Sequence, residues 1–155
     1  MAVTVKTAWV SGPFMWTTEK DGSHVLKSDG DLYVLLQSKK NEATYRFTFK
    51  NGFKCEGLSV PWAFRWFLKD WDEGNKLYNL AGALHDWLYA TDGDDRMFSR
   101  SECDDIFRGI LRESGVGRFK AGAADLAVGI FAGNRRHWGS DSYKVGELVH
   151  LSVFV

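Results

Sequence analysis

A histidine and an aspartate stand side by side in GALHDWLYA (Gly82 to Ala90), as His85 and Asp86. An imidazole in general titrates near neutral pH, so it can accept a proton and give it back. A carboxylate beside it can orient the ring or hold a cation. A further carboxylate, Asp104, follows in SRSECDDIF (Ser99 to Phe107). No serine or cysteine nucleophile elbow accompanies them, and no His-x-x-x-His or Cys-x-x-Cys zinc spacing, which counts against a catalytic reading.

What these residues can do depends on the helices that carry them. At ~100° per residue, Leu77, Leu80, Ala81, Leu84, Leu88 and Thr91 form one stripe, the expected core face. Tyr78, Gly82, His85, Asp86 and Tyr89 occupy another sector. Two readings follow. In one, that sector faces solvent, with Asp86 a surface charge and His85 a boundary residue. In the other, it is a chemical site held off the leucine stripe, and Gly82 lets a backbone or ligand approach. On the next helix, Cys103, Phe107, Ile110, Leu111 and Ser114 point inward. Asp104 lies at the edge of that stripe with Arg108 one turn on, so it can pair within the helix or reach outside it. Asp105 is expected to point away.

The elements fall into two styles. Residues 1 to about 60 read as three to five antiparallel strands. TAWVSGPFMWTT turns or bulges at Gly12-Pro13, and LYVLLQS follows the Asp29-Gly30-Asp31 turn signal. ATYRFTFKNGFKC alternates Tyr45, Phe47 and Phe49 with polar residues, and Asn51-Gly52 signals a hairpin. From Pro61 the period becomes helical. A short aromatic helix is expected first, then one from about Lys76 to Ala90. A third is capped by Ser99 and Glu102 and stops at Gly115. A fourth, rich in glycine and apolar nearly all round, covers Arg118 to Asn134. Asp92-Gly93-Asp94-Asp95 reads as a solvated loop without calcium-loop spacing. Arg135, Arg136 and His137 suit a helix C-terminus. GELVHLSVFV reads as a strand returning to the sheet. The class is α+β: an antiparallel sheet packed on three to four helices, in a single domain over 1–155. Its parts are strand-rich to about 60, helical over about 61–138, and a tail over about 139–155.

Composition narrows the partners. The 155 residues carry 20 basic and 20 acidic side chains. No global field draws the chain to nucleic acid, so none is expected as a partner. Seven tryptophans imply large rigid contact surfaces, inside or at an interface. MAVTVKTAWVSG has no charged and then apolar leader, so no signal peptide is expected. No run of about 18 apolar residues predicts a membrane span. Cys55 and Cys103 read as two reduced thiols acting as small buried hydrophobes. His24 and His150 stand in strand or turn contexts without evident companions.

GLSVP (Gly57 to Pro61), HDWLY (His85 to Tyr89) and SRSECDDIF occur in an order and spacing that resemble a family of small phage and prophage proteins, domain of unknown function 1353. That family's pattern is Gly-Phe, then Thr-Asp-Leu-Ala-Ser-Val-Pro, a His-Asp-x-Leu-Tyr helix, and Arg-x-x-x-Asp-x-x-Phe. Gly52-Phe53 matches its start, and Arg100, Asp104 and Phe107 match its end. Cys55-Glu56 replaces Thr-Asp, and Gly57-Leu58 replaces Leu-Ala, so the carboxylate at 56 is one methylene longer.

The resemblance implies a phage origin and gathers Glu56, His85, Asp86 and Asp104 into one place. One imidazole and three carboxylates suit a divalent cation, with Glu56, Asp86 and Asp104 as its ligands. The His-Asp-x-x-Tyr order is also similar to the catalytic helix of secreted phospholipases. By that local pattern His85 is a general base, Asp86 a metal ligand, and Tyr89 a donor to Asp104, with Arg100 also in support. The glycine-rich calcium loop and disulfides of those enzymes are absent. Three functions are expected in competition. The chain is a virion-associated or accessory protein, made in the host cytoplasm, whose aromatic-rich sheet docks to other phage proteins. It is a metal-dependent hydrolase. Or it is an anti-defence factor that binds a host protein.

Overall fold

The computed structural model describes residues 3–55, 71–90, 98–115 and 149–154. The elements are β1 (Thr4–Ser11), β2 (Trp16–Thr18), β3 (His24–Leu26), β4 (Gly30–Gln37), β5 (Glu42–Phe49), β6 (Lys54–Cys55), α1 (Lys76–Ala90), α2 (Arg100–Glu113) and β7 (Val149–Phe154). The class is α+β, as expected. The expected helices at Pro61 and at Arg118 to Asn134, the Asp92–Asp95 loop and residues 135–137 lie outside the described residues.

The main sheet has four antiparallel strands in the order β1-β4-β5-β7. The tail strand therefore returns to the sheet, beside β5. Period-two alternation buries one face: Leu32, Val34 and Leu36 on β4, and Phe47 and Phe49 on β5. The helices cover this face. Trp87 of α1 meets Phe47 edge-on at 6.0 Å, and Phe98, just before α2, meets Tyr45 at 5.2 Å. α2 comes so close to β1 that a Cβ at Gly109 would stand 2.3 Å from Val5.

A second sheet of three short strands, β2-β3-β6, adjoins the first. It explains why Asn51-Gly52 makes a turn but no hairpin. The turn is present: Phe53 N–H donates to the Lys50 carbonyl at 3.1 Å, and Gly52 holds the positive φ of 99° that such a turn needs. But β5 already has β4 on one side and β7 on the other, so no edge remains for β6. The chain crosses instead to β3, where Leu26 bonds with both Gly52 and Phe53.

Both helix ends named from sequence hold. The Ser99 side chain accepts from Glu102 N–H, and Glu102 reaches back to Ser99 N–H at 2.9 Å. Ser114 closes α2, and Gly115 follows with φ of 95°. α1 is capped by Asn75, whose Oδ1 accepts from Tyr78 N–H at 3.1 Å. Its Nδ2 donates to the Ser114 carbonyl at 3.0 Å, which fastens the start of α1 to the end of α2.

The expected one-stripe burial of α1 needs correction. Tyr78, Gly82 and His85, placed in the polar sector, are buried, while Leu77 of the stripe is only half-buried. α1 packs against α2 and the sheet together, so two neighbours divide its surface. A single apolar stripe describes a helix with one.

Candidate functional site

The antiparallel placement of α1 and α2 decides which polar side chains meet. Ten residues separate Asn75 from His85, and ten separate Asp104 from Ser114. One cross-helix hydrogen bond joins each pair of ends. The second is the site: His85 Nε2 lies 2.9 Å from Asp104 Oδ1, across 19 positions of sequence. The His85 side chain is 9% exposed and that of Asp104 24%. The Phe107 ring lies 4.9 Å from the imidazole, tilted at 49°. Phe107 stands three residues after Asp104, on the same side of α2.

The arrangement fixes a tautomer. An ionised carboxylate only accepts, so Nε2 carries the proton and donates it to Asp104. Nδ1 is then the basic nitrogen of the neutral ring.

Of the residues expected to gather, His85 and Asp104 do so. Asp86 follows His85 on α1 and is half-buried. Arg100 begins α2, one turn before Asp104, and is half-buried too. Glu56 lies outside the described residues, as does the side chain of Tyr89. Among the described residues, no three His, Cys, Asp or Glu side chains form a group able to hold a metal ion. Cys55 and Cys103 are free thiols, both buried.

Two expectations about neighbouring residues are overturned. Asp105 does not point away: it is 7% exposed, and its carboxylate accepts from Arg108 Nη2 at 3.0 Å and from Val3 N–H at 3.3 Å. Arg108 therefore serves Asp105 at i,i+3, and Asp104 is committed to His85. The reason is β1, which packs on α2 and makes that flank of the helix interior. His24 also has companions. Its Nδ1 lies 3.1 Å from Thr18 Oγ1, and its ring stacks on Trp71 at 3.6 Å with planes 10° apart. Burial lowers the pKa of His24 below its ordinary 6.5, with Glu73 acting weakly in the other direction. Thr18 and His24 close a hairpin over Asp21-Gly22, a pairing the spacing permits. The Trp71 contact bridges 47 positions and leaves no local signal.

Fold and site together define an α+β protein with a histidine–aspartate pair held between two antiparallel helices. The chain belongs to the family described as "Protein of unknown function (DUF1353)", whose model matches residues 34–128. No curated protein and no solved structure matches it. No helix among the described residues is long and apolar enough to cross a membrane.

Proposed function

We propose that the chain is a phage-encoded accessory protein whose His85–Asp104 pair acts as a general base in hydrolysis. The observation that carries this reading is the 2.9 Å contact from Nε2 to a carboxylate that is itself partly exposed. Two of the segments that resemble motifs of small phage and prophage proteins meet there. In the proposed step Nδ1 takes a proton from water, and the water oxygen attacks the carbonyl carbon or phosphorus of an ester. The leaving oxygen then receives that proton from Nδ1 as the ester bond breaks. Asp104 holds the ring and stabilises the imidazolium between the two transfers. A divalent cation bound by Asp86 and Glu56 would polarise the bond under attack. Asp104 Oδ1 is occupied by His85, which leaves Asp104 the weakest of the three expected ligands.

The test uses the purified full chain on carboxylic esters, phospholipid vesicles, phosphodiesters and cell-wall fragments, with and without added calcium, magnesium or zinc. Turnover of one substrate class is expected. His85→Ala should abolish it with the circular dichroism spectrum kept, and Asp104→Asn should slow it about 10²–10⁴-fold. Elemental analysis of wild type against His85→Ala reports bound metal separately.

A second reading has its own observation: His85 is 7% exposed and lies against Phe107. There the pair is a structural latch in a noncatalytic virion component. No turnover in any class, together with a lowered melting temperature for His85→Ala, selects that reading.

A further inference from the structure

The main sheet has a second face, opposite the helices. Ala8, Val34 and Phe47 point to the helix side, so their neighbours Trp9, Tyr33 and Arg46 point to the other. The register aligns Trp9, Tyr33, Arg46 and Ser152 in one row across all four strands. Trp9 and Tyr33 stack with centroids 5.3 Å apart and planes within 5°. Trp9 remains 42% exposed, and among the described residues β1 is the edge strand, with no further strand beyond it. On the far side of the row, the Arg46 guanidinium carbon lies 5.3 Å from the Phe154 ring centroid.

Arg46 is a cation in want of an acid. Among the described residues no carboxylate stands within ion-pair distance of it, and its Nε–H has no acceptor. A guanidinium is always charged and presents a planar fork suited to a carboxylate. The rows on either side mix hydroxyls with other groups: Thr7, Leu35, Thr44 and Phe154 on one, and Ser11, Asp31, Thr48 and His150 on the other, where Thr48 Oγ1 donates to Asp31 at 2.6 Å.

These features favour one kind of occupant. A stable protein interface covers about 800 Å² per partner, around a dry apolar centre. Here the centre of the row is a charge, and the apolar side chains, the Trp9–Tyr33 stack, half-buried Leu35 and Phe154, lie around it. A pyranose ring has one face of polarised C–H bonds and a rim of hydroxyls. The electron-rich face of an indole attracts the first, and threonine and serine hydroxyls suit the second. A carboxylated sugar adds the acid that Arg46 lacks. We infer that the outward face of the main sheet binds an acidic glycan, with Trp9 as the stacking platform and Arg46 as the clamp for its carboxylate. This site is separate from the His85–Asp104 pair and stands or falls independently of it.

The experiment titrates the full chain by tryptophan fluorescence and calorimetry. The probes are trigalacturonate, 3′-sialyllactose and a hyaluronate tetrasaccharide, each beside its methyl ester, and a tetraglutamate peptide. At least one acidic glycan should bind more tightly than its ester. Trp9→Ala should weaken that binding at least tenfold. Arg46→Gln should bring the acid down to the level of its ester and leave the ester unchanged, and it reports independently should Trp9→Ala fail to fold. Three results overturn the inference: no glycan binding at millimolar concentration, binding indifferent to both substitutions, or binding of the peptide alone, which would make the face a protein-docking surface.

Discussion

The side-chain amide of Asn75 donates to the carbonyl of Ser114 at 3.0 Å, ten residues from His85 on one helix and ten from Asp104 on the other. At 1.5 Å of rise per residue, the two cross-helix bonds stand about 15 Å apart along the pair. The first holds the register that the second needs. Asn75→Ala removes this bond and the cap on Tyr78 N–H together. It should cost about 1–2 kcal/mol in urea unfolding. It should also move the His85 ring resonances in NMR spectra, whereas Asn75→Ser, which keeps a capping oxygen but not the cross-helix donor, should restore the stability more than the resonances.

The His85–Asp104 pair should be visible as an energetic coupling. His85→Ala leaves a carboxylate short of its donor, and Asp104→Ala leaves a nearly buried imidazole short of its acceptor. Each should lower stability by about 1–3 kcal/mol. The double variant should fall short of the sum by about 1 kcal/mol, because both singles break the same bond. Strict additivity in the denaturant cycle would mean that the contact contributes nothing.

Gly109 and Val5 make the opposite kind of test, one of space. A Cβ at 109 would meet Val5 Cγ2 at 2.3 Å and Val5 Cβ at 2.4 Å. In an exposed helix Gly→Ala would gain about 1 kcal/mol. Here the overlap is with a branched side chain on a strand, and such overpacking costs about 1–3 kcal/mol. Gly109→Ala should therefore lower the melting temperature. Gly109→Ala with Val5→Ala should recover more than the separate effects predict.

His24 gives a pH dependence of definite sign. Burial lowers its folded pKa below the ordinary 6.5, chiefly by penalising the charged ring. Between those values the unfolded chain binds more protons than the folded one, so stability rises with pH there. The contribution is complete above pH 6.5 and is lost as pH falls through the folded value. Glu73, near the ring, shifts that value up and narrows the window. Denaturation of wild type against His24→Gln should show a slope on the acid side of pH 6.5 in the wild type that the variant lacks. The Trp71 fluorescence should change over the same range, because the two rings stack.

Local chemistry was legible in the sequence where it acts over a few residues. The capping box at Ser99 and Glu102, the stop at Gly115 and the alternation through Phe47 and Phe49 each depend on near neighbours, and each is present. The tail strand was legible for the same reason. What failed depended on a second packing partner. A helical wheel knows one core, so it set Tyr78 and His85 off the core face, although both are buried and His85 lies against α2, and turned Asp105 away, toward what proved to be the backbone of Val3. Asn51-Gly52 signalled a reversal correctly and its partner wrongly, because the distant β7 had taken the open edge. At the site, the His85–Asp104 meeting was expected only from the resemblance of their two segments to a family's motifs. Spacing alone allowed Asp104 to choose Arg108.

The position of β7 bears on how the molecule comes into being. β5 is an interior strand only because residues Val149 to Phe154 lie along it, register-matched from Thr44 to Phe49. During translation 99 residues must be made between the two. Until then β5 offers a bare row of amides and carbonyls to any other nascent chain. Synthesis at ordinary speed leaves that edge open for seconds, so the ribosome-bound intermediate is the stage at which this protein is most exposed to aggregation and most in need of a chaperone.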